Sequence, residues 1–204
     1  TMFRLSMIVM LFLLTACSTK IQTRYYSLQA LPNPAQLIQL PADITLGIST
    51  VKLPSMLNRK GIVTQKEGAA VQVASHDIWA GRLKEDFTRV IAELMAENLG
   101  INEVVTEPWN TRFRPEYQLQ LNVHHFSGQL GGPVRLKVNW TLSSNYGKNK
   151  LLNRSDEITL QTAKDDYQAY VTSLNSLLAA FSEKSVRNEI AEAISQDATS
   201  KRQN

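Results

Sequence analysis

The segments YQLQLNVH, at residues 117–124, and VRLKVNWTLS, at residues 134–143, alternate apolar and polar side chains. Alternation with a period of two is typical of a β-strand that packs one face on a core and exposes the other face to water. The connector between them contains GQLGGP at residues 128–133, which is rich in glycine and ends in proline. Because such a connector favours a turn, we predict that the two segments form a β-hairpin.

Shorter segments on both sides of this hairpin also have the composition of strands. Aromatic residues predict a first strand at residues 24–28, and alternation predicts a half-buried strand at residues 44–51. Further strands are predicted at residues 62–64, 70–73, 104–105 and 157–161. Gly68 indicates a turn between the predicted strands at residues 62–64 and 70–73. Residues 148–153 are interpreted as a loop.

Two segments have apolar residues at the spacing of a helix. The first is predicted to begin near Asp77, a good N-cap residue, and to end at Gly100. Its apolar stripe comprises Leu83, Phe87, Val90, Ile91, Leu94 and Met95. We interpret this stripe as a core face, and the alternative is a face that binds a partner. The second helix is predicted from about Asp166 to Ser195, before a polar tail at residues 198–204.

Runs of strands with one helix between them and one after them are typical of an α+β fold. We therefore predict an antiparallel or mixed sheet with two amphipathic helices packed on one face, in a single domain at residues 24–197. The 22 basic and 18 acidic residues give a formal net charge of +4 and are well mixed along the chain. No basic face interleaved with aromatic residues is visible, so binding to nucleic acid is not supported.

The first 23 residues predict the cellular location of this domain. Arg4 precedes an apolar run at residues 7–14, and this arrangement is typical of a secretory signal peptide. The run ends in LTAC, residues 14–17, which resembles the bacterial lipobox, in which the cysteine receives a diacylglycerol and an N-acyl group. The alternative is an ordinary signal peptide that is cleaved after Ala16. We expect a signal at residues 1–16, lipidation of Cys17, and a tether at residues 17–23.

Chemically reactive residues do not form a recognisable catalytic pattern. The chain has no Gly-x-Ser-x-Gly motif, and its one cysteine is Cys17. His124 and His125 are neighbours on a predicted strand, so their side chains should point to opposite faces and cannot share a metal ion. We therefore predict a protein that is not an enzyme and that has no metal or cofactor beyond the lipid on Cys17.

Four ordered segments carry a resemblance to a known family. They are residues 23–28, the pattern Leu53-Pro54 with LNR at 57–59 and IVT at 62–64, the helix that follows Trp79, and residues 117–123 with Phe126. This set resembles the auxiliary lipoproteins of ABC-type transport systems that move lipids with MCE-domain proteins. It is most similar to the lipoprotein C subunits of paraquat-inducible (Pqi) systems. Gln65 stands where the family often has arginine.

The resemblance implies an outer-membrane lipoprotein that is anchored in the inner leaflet and faces the periplasm. Its implied role is to assist phospholipid transport between the membranes, and so envelope integrity, by docking an MCE-domain protein. The alternative is a lipid-binding carrier that faces the periplasm. We expect a homo-oligomer, because such assemblies are symmetric. The candidate contact residues for the partner are Leu53, Pro54, Leu57 and Arg59.

Overall fold

The computed structural model describes residues 22–31, 38, 40–41, 43–102, 104–109, 113–185 and 189–203. Their fold is α+β, as predicted, with two mixed sheets and three α-helices. The strands are β1 (Arg24–Tyr26), β2 (Leu46–Lys52), β3 (Gly61–Gln65), β4 (Val71–Trp79), β5 (Val104–Thr106), β6 (Tyr117–Gly128), β7 (Pro133–Ser144) and β8 (Asn149–Gln161). The helices are α1 (Leu83–Leu99), α2 (Tyr167–Ser185) and α3 (Ala191–Gln203), and a short 3-10 helix spans Ser55–Leu57.

The larger sheet has the strand order β5-β2-β6-β7-β8. The predicted hairpin is confirmed, because β6 and β7 pair antiparallel from Gln118 opposite Ser143 to Gly128 opposite Val134. Strand β2 runs parallel to both of its neighbours, β5 and β6. Along β6 and β7 the inward side chains, such as Leu121 and Trp140, are almost fully buried. Helix α1 packs against β2 and β5, and α2 packs against β7 and β8.

The smaller sheet has the order β1-β4-β3, with β1 parallel and β3 antiparallel to β4. Tyr170 on α2 connects the two sheets through its hydroxyl group. That hydroxyl accepts a hydrogen bond of 3.0 Å from the backbone N–H of Gly128 and donates one of 3.0 Å to the carbonyl oxygen of Val63. Burial raises the pKa of Tyr170, so the hydroxyl keeps its proton and can donate.

Helix α1 confirms the predicted core stripe and C-terminus, but its beginning is different. All six predicted stripe residues are buried. Gly100 follows the last residue with φ of 61°, a left-handed conformation that glycine adopts without steric cost. The helix begins at Leu83, so the prediction of an N-cap at Asp77 is wrong. Asp77 lies in β4, where its carboxylate accepts hydrogen bonds from Arg24 and the hydroxyl of Tyr26.

The C-terminal part of the chain also differs from the single predicted helix. Helix α2 ends at Ser185, residues 186–188 lie outside the described part, and α3 begins at Ala191. Helix α3 continues to Gln203, so it includes residues 198–203 of the predicted polar tail. None of the helices in the described ranges combines the length and the apolar character that a membrane crossing requires.

Strand pairing and burial in the larger sheet correct two predictions, one of a loop and one of a half-buried strand. Residues 149–153 are the first part of β8 and not a loop, because they pair with the end of β7. Strand β2 is not half-buried, since its first four residues are all buried. The side chains of Trp109 and Pro115 cover the face at Gly47, where an added Cβ would come within 2.4 Å of Pro115.

Candidate functional site: a cleft beside helix α1

The predicted partner-contact residues lie on the short segment that leaves β2. Leu53 and Pro54 are half-buried, Leu57 is 4% exposed, and Arg59 is exposed. The first three residues line one wall of a cleft, whereas Arg59 is not among its lining residues. The structure therefore brings three of the four predicted residues together. Cys17 lies outside the described residues.

The cleft has a volume of about 1040 Å³ and lies between this segment, helix α1 and strand β5. Side chains of both polar and apolar character line it. On the segment and β5 the lining residues are Leu53, Pro54, Ser55, Leu57, Asn58, Asn102, Val104, Thr106 and Glu107. On α1 and just before it they are Arg82, Leu83, Lys84, Glu85, Thr88, Arg89, Ala92, Glu93 and Ala96. Because several of these side chains are exposed, the cleft is an open groove on the surface.

Small side chains on α1 create this groove. Thr88, Ala92 and Ala96 follow one another at intervals of four residues, so they share one face of the helix. This face lies beside the apolar stripe and lines the cleft. These residues were not among the predicted contact residues, although their small side chains recur next to the core stripe in the sequence.

Ion pairs on α1 form the charged rim of the cleft. Arg82 pairs with Glu85 at 3.1 Å, and Arg89 pairs with Glu93 at 3.0 Å and with Asp86 at 3.2 Å. The guanidinium of Arg89 also donates a 2.8 Å hydrogen bond to the carbonyl oxygen of Leu28. Partial burial acts to lower the pKa of Arg89, but the hydrogen bonds to Glu93 and Asp86 raise it above its ordinary value. The rim therefore carries both signs of charge, in pairs that are partly or largely exposed to solvent.

The neighbouring histidines of β6 occupy a different surface. A register shift between Val123 and His125 interrupts the pairing with β7 there. His124 is exposed, while His125 is half-buried and lies 3.3 Å from both Gln65 and Ser127. Burial and the nearby charge of Arg135 lower the pKa of His125. Within the described part of the chain, no three His, Cys, Asp or Glu side chains converge to hold a metal ion.

The whole cleft lies inside the region that matches a known family. The model of the family described as "ABC-type transport auxiliary lipoprotein component" matches residues 26–185. The chain belongs to this family. This match confirms the resemblance to the auxiliary lipoproteins of ABC-type transport systems.

Solved structures confirm the fold of this auxiliary component. A crystal structure of a protein from Xanthomonas campestris is 15% identical, with a TM-score of 0.66, over 87% of this chain and 99% of that chain. A crystal structure of an uncharacterised protein is 23% identical, with a TM-score of 0.63, over 81% of this chain and 97% of that chain. Among curated proteins, none matches the chain in sequence.

Proposed function

We propose that this auxiliary lipoprotein is a non-enzymatic docking component that receives an MCE-domain protein at the cleft beside α1. The system it serves would move phospholipid between the two membranes of the envelope and so support envelope integrity. In this proposal the lipid on Cys17 anchors the chain in the inner leaflet of the outer membrane, and the domain faces the periplasm.

The coincidence of two independent arguments carries the proposal. The family resemblance selected Leu53, Pro54 and Leu57 from the sequence, and these three residues form one wall of the cleft. An open groove with buried apolar residues such as Leu57 and Leu83 and a rim of charged side chains suits a protein surface. Apolar contacts there provide affinity, and charges on the rim select the partner.

The short tether that is predicted between Cys17 and the domain is a further argument for docking. Residues 18–24 span at most about 20 Å, because an extended chain covers no more than ~3.5 Å per residue. A domain held this close to its membrane cannot cross the periplasm with a bound lipid. Another protein must therefore span the gap, and the auxiliary component would hold its end.

The alternative function, a lipid-binding carrier, is favoured by the volume of the cleft. Ligand pockets commonly have ~300–1,000 Å³, and the cleft of about 1040 Å³ reaches this size. Its lining argues against this use, since it includes Arg82, Lys84, Glu85 and Glu107. An acyl chain gains nothing from contacts with charged groups, which would lose hydration beside it.

A single substitution in the cleft tests the docking function. Ala96→Arg would place a long charged side chain in the groove, and we expect it to weaken binding to the cognate MCE-domain protein at least tenfold. Ala180→Arg on α2 is the matched control, because Ala180 is also half-buried in a helix and does not line the cleft. Binding is measured by titration of the purified lipoprotein in detergent.

Two results would decide between docking at the cleft and the carrier function. Equal binding by both variants would contradict the cleft as the docking site. Phospholipid that co-purifies with the wild type and is lost in Ala96→Arg, without binding of any MCE-domain protein, would favour the carrier. The same preparations give the mass in solution, which tests the homo-oligomer expected from the sequence, and a strict monomer would contradict that expectation.

The anchor is tested separately from the docking. We expect Cys17→Ala to abolish labelling by a radioactive fatty acid, since the thiol that receives the diacylglycerol is gone. Ser18→Asp should move the labelled protein from the outer to the inner membrane, because aspartate after the lipidated cysteine retains such proteins there in enterobacteria. Equal labelling of wild type and Cys17→Ala would contradict the lipid anchor, and wild type in the inner membrane would contradict the proposed location.

A further inference from the structure

Strand β5 is at one end of the larger sheet and contributes to the wall of the cleft. In the strand order it has β2 as its single neighbour among the described strands. Val104 and Thr106 line the cleft, whereas Val105, which lies between them, does not. An edge strand presents backbone N–H and C=O groups that have no partner in the sheet, and these groups can pair with another chain. The cleft therefore contains an open sheet edge.

One hydrogen bond shows which backbone groups of β5 are open. The N–H of Glu107 donates a 3.1 Å hydrogen bond to the carbonyl oxygen of Ile48 in β2. Alternate residues of a strand direct their backbone groups to opposite sides, so Val105 also faces β2. The N–H and C=O groups of Val104 and Thr106 consequently face away from β2. These are the two residues of β5 that line the cleft.

Helix α1 sets the length of the cleft beside this edge. Its face toward the cleft includes the small side chains of Thr88, Ala92 and Ala96. From Lys84 to Ala96 the lining follows α1 for about 18 Å, because a helix rises ~1.5 Å per residue. An extended chain covers ~3.3 Å per residue, so about six residues fit along this length.

The open groups of β5 select an extended occupant. A helix pairs its own N–H and C=O groups internally and has none to offer along its side. An extended peptide directs the backbone groups of every second residue to β5. The side chains on one face of such a peptide would meet Ala92 and Ala96 of α1.

The charges of the cleft favour a peptide over a lipid headgroup. Three basic and three acidic side chains line the cleft, so their formal charges cancel: Arg82, Lys84, Arg89, Glu85, Glu93 and Glu107. An anionic phosphate gains no net attraction from such a lining. The backbone of a peptide carries no charge and needs no matching charge in the cleft.

We infer that a segment of about six residues of the MCE-domain protein binds in extended form as an added strand on β5, between this edge and α1. The inference rests on the proposed docking function and specifies the conformation in which the partner is bound. Val104 and Thr106 each offer one donor and one acceptor, so up to four backbone hydrogen bonds form. Side chains that meet Ala92 and Ala96 select the sequence of the segment.

Overlapping peptides of about 12 residues that cover the periplasmic sequence of the cognate MCE-domain protein test the inference. Each labelled peptide is titrated with the full lipoprotein in detergent, and fluorescence anisotropy reports binding. The peptide that binds is then N-methylated at one residue at a time. Because strand pairing uses every second N–H, methylation should weaken binding at least tenfold at alternate positions and less than twofold between them. Losses without this alternation would overturn strand addition.

Thr106→Pro removes an open N–H of β5 from the lipoprotein itself. Proline is tolerated on an edge strand where the N–H faces away from the sheet, so the variant should fold. Circular dichroism and thermal unfolding measure this. We expect the intact MCE-domain protein and the binding peptide each to lose affinity at least tenfold.

Thr159→Pro on β8, the strand at the other end of this sheet, is the matched control. The carbonyl oxygen of Pro133 accepts a hydrogen bond from Gln129, so residues at odd positions of β7 face β6. Thr159 is opposite Arg135, which is one of these residues, and its N–H therefore faces away from β7. Because Thr159 does not line the cleft, Thr159→Pro should leave both affinities unchanged within twofold.

The same titrations separate this inference from the docking function. Binding of the intact partner that is lost in Ala96→Arg but kept in Thr106→Pro would overturn strand addition and leave docking intact. Equal binding by wild type and Ala96→Arg would overturn docking at the cleft, and the inference with it. Binding of the intact partner without binding of any peptide would overturn an extended segment as the occupant. A lower mass of Thr106→Pro in solution would also overturn the inference, because a second copy would then pair with β5.

Discussion

Helices α2 and α3 follow one another in the chain but are held in place by different forces. Ten residues of α2 are buried, among them Leu174, Leu178 and Phe181. In α3 only Ala191 and Ile194 are buried, and most of the helix is polar. Apolar burial therefore accounts for the position of α2, whereas α3 needs other contacts.

Polar contacts with β6 and β7 hold α3 in place, because few of its residues are buried. The carboxylate of Asp197 accepts hydrogen bonds from the hydroxyl of buried Tyr117 at 2.9 Å and from Ser144 at 3.4 Å. Lys201 pairs with Asp197 and Glu116, and its ammonium lies 5.2 Å from the centre of the Tyr117 ring. A polar terminal segment is therefore ordered by a few directed contacts, which single substitutions can remove.

The largest expected effect is on α2. Phe181 is 0% exposed, and Phe181→Ala should lower the free energy of unfolding by about 3–5 kcal/mol, because it removes buried apolar surface and leaves a cavity. Urea unfolding followed by circular dichroism measures this change. Thr172→Ala on the exposed side of α2 is the control and should change stability by less than ~0.5 kcal/mol. Equal effects would contradict the burial of this helix face.

A smaller and local effect is expected on α3. Asp197→Ala leaves the buried hydroxyl of Tyr117 without its acceptor and should cost about 1–2 kcal/mol. Hydrogen exchange should accelerate in α3 and stay unchanged in α2. Glu192→Ala, which removes only a contact with Gln196 in the same helix, is the control. Faster exchange in both helices would show that α3 is not held separately.

Acidification should weaken the same contact. Burial acts to raise the pKa of Asp197, but hydrogen bonds from Lys201 and Tyr117 bring it below its ordinary value. A carboxylate with a lowered pKa in the folded state contributes stability above its unfolded pKa of about 3.9, and this is lost as pH falls through the folded pKa. The stability difference between wild type and Asp197→Asn should therefore shrink between pH 6 and pH 3. A constant difference would contradict the lowered pKa.

The smallest effect is expected at the end of α3. Arg202 pairs with Asp43 at 3.4 Å, and their side chains are 64% and 72% exposed. Because water and salt screen such pairs, Arg202→Ala should change stability by less than ~0.5 kcal/mol. A loss comparable to that of Asp197→Ala would mean that charge pairing at the surface, and not the buried hydroxyl of Tyr117, orders the helix.

Only one wall of the candidate site was predicted from the sequence. Leu53, Pro54 and Leu57 were selected through a family pattern, and they line the cleft. The opposite wall, with Thr88 and Ala96, was not selected, because a helix face becomes a groove only when another element is placed beside it. The lipidation of Cys17 remains a prediction from the sequence.

Local sequence was sufficient to predict the β6–β7 hairpin from alternation and a turn-rich connector, the stripe of α1 from helical spacing, and the end of that helix from Gly100. These features depend on neighbours within one or two turns or strands, so the sequence contains the relevant information. The role of Asp77, the burial of both faces of β2 and the position of α3 depend on tertiary contacts and were not predicted. In each case the deciding partner is distant in sequence: Tyr26 for Asp77, Pro115 for Gly47, and Tyr117 for Asp197. A distant partner that is buried changes the most stable state of a residue more than its local preference does.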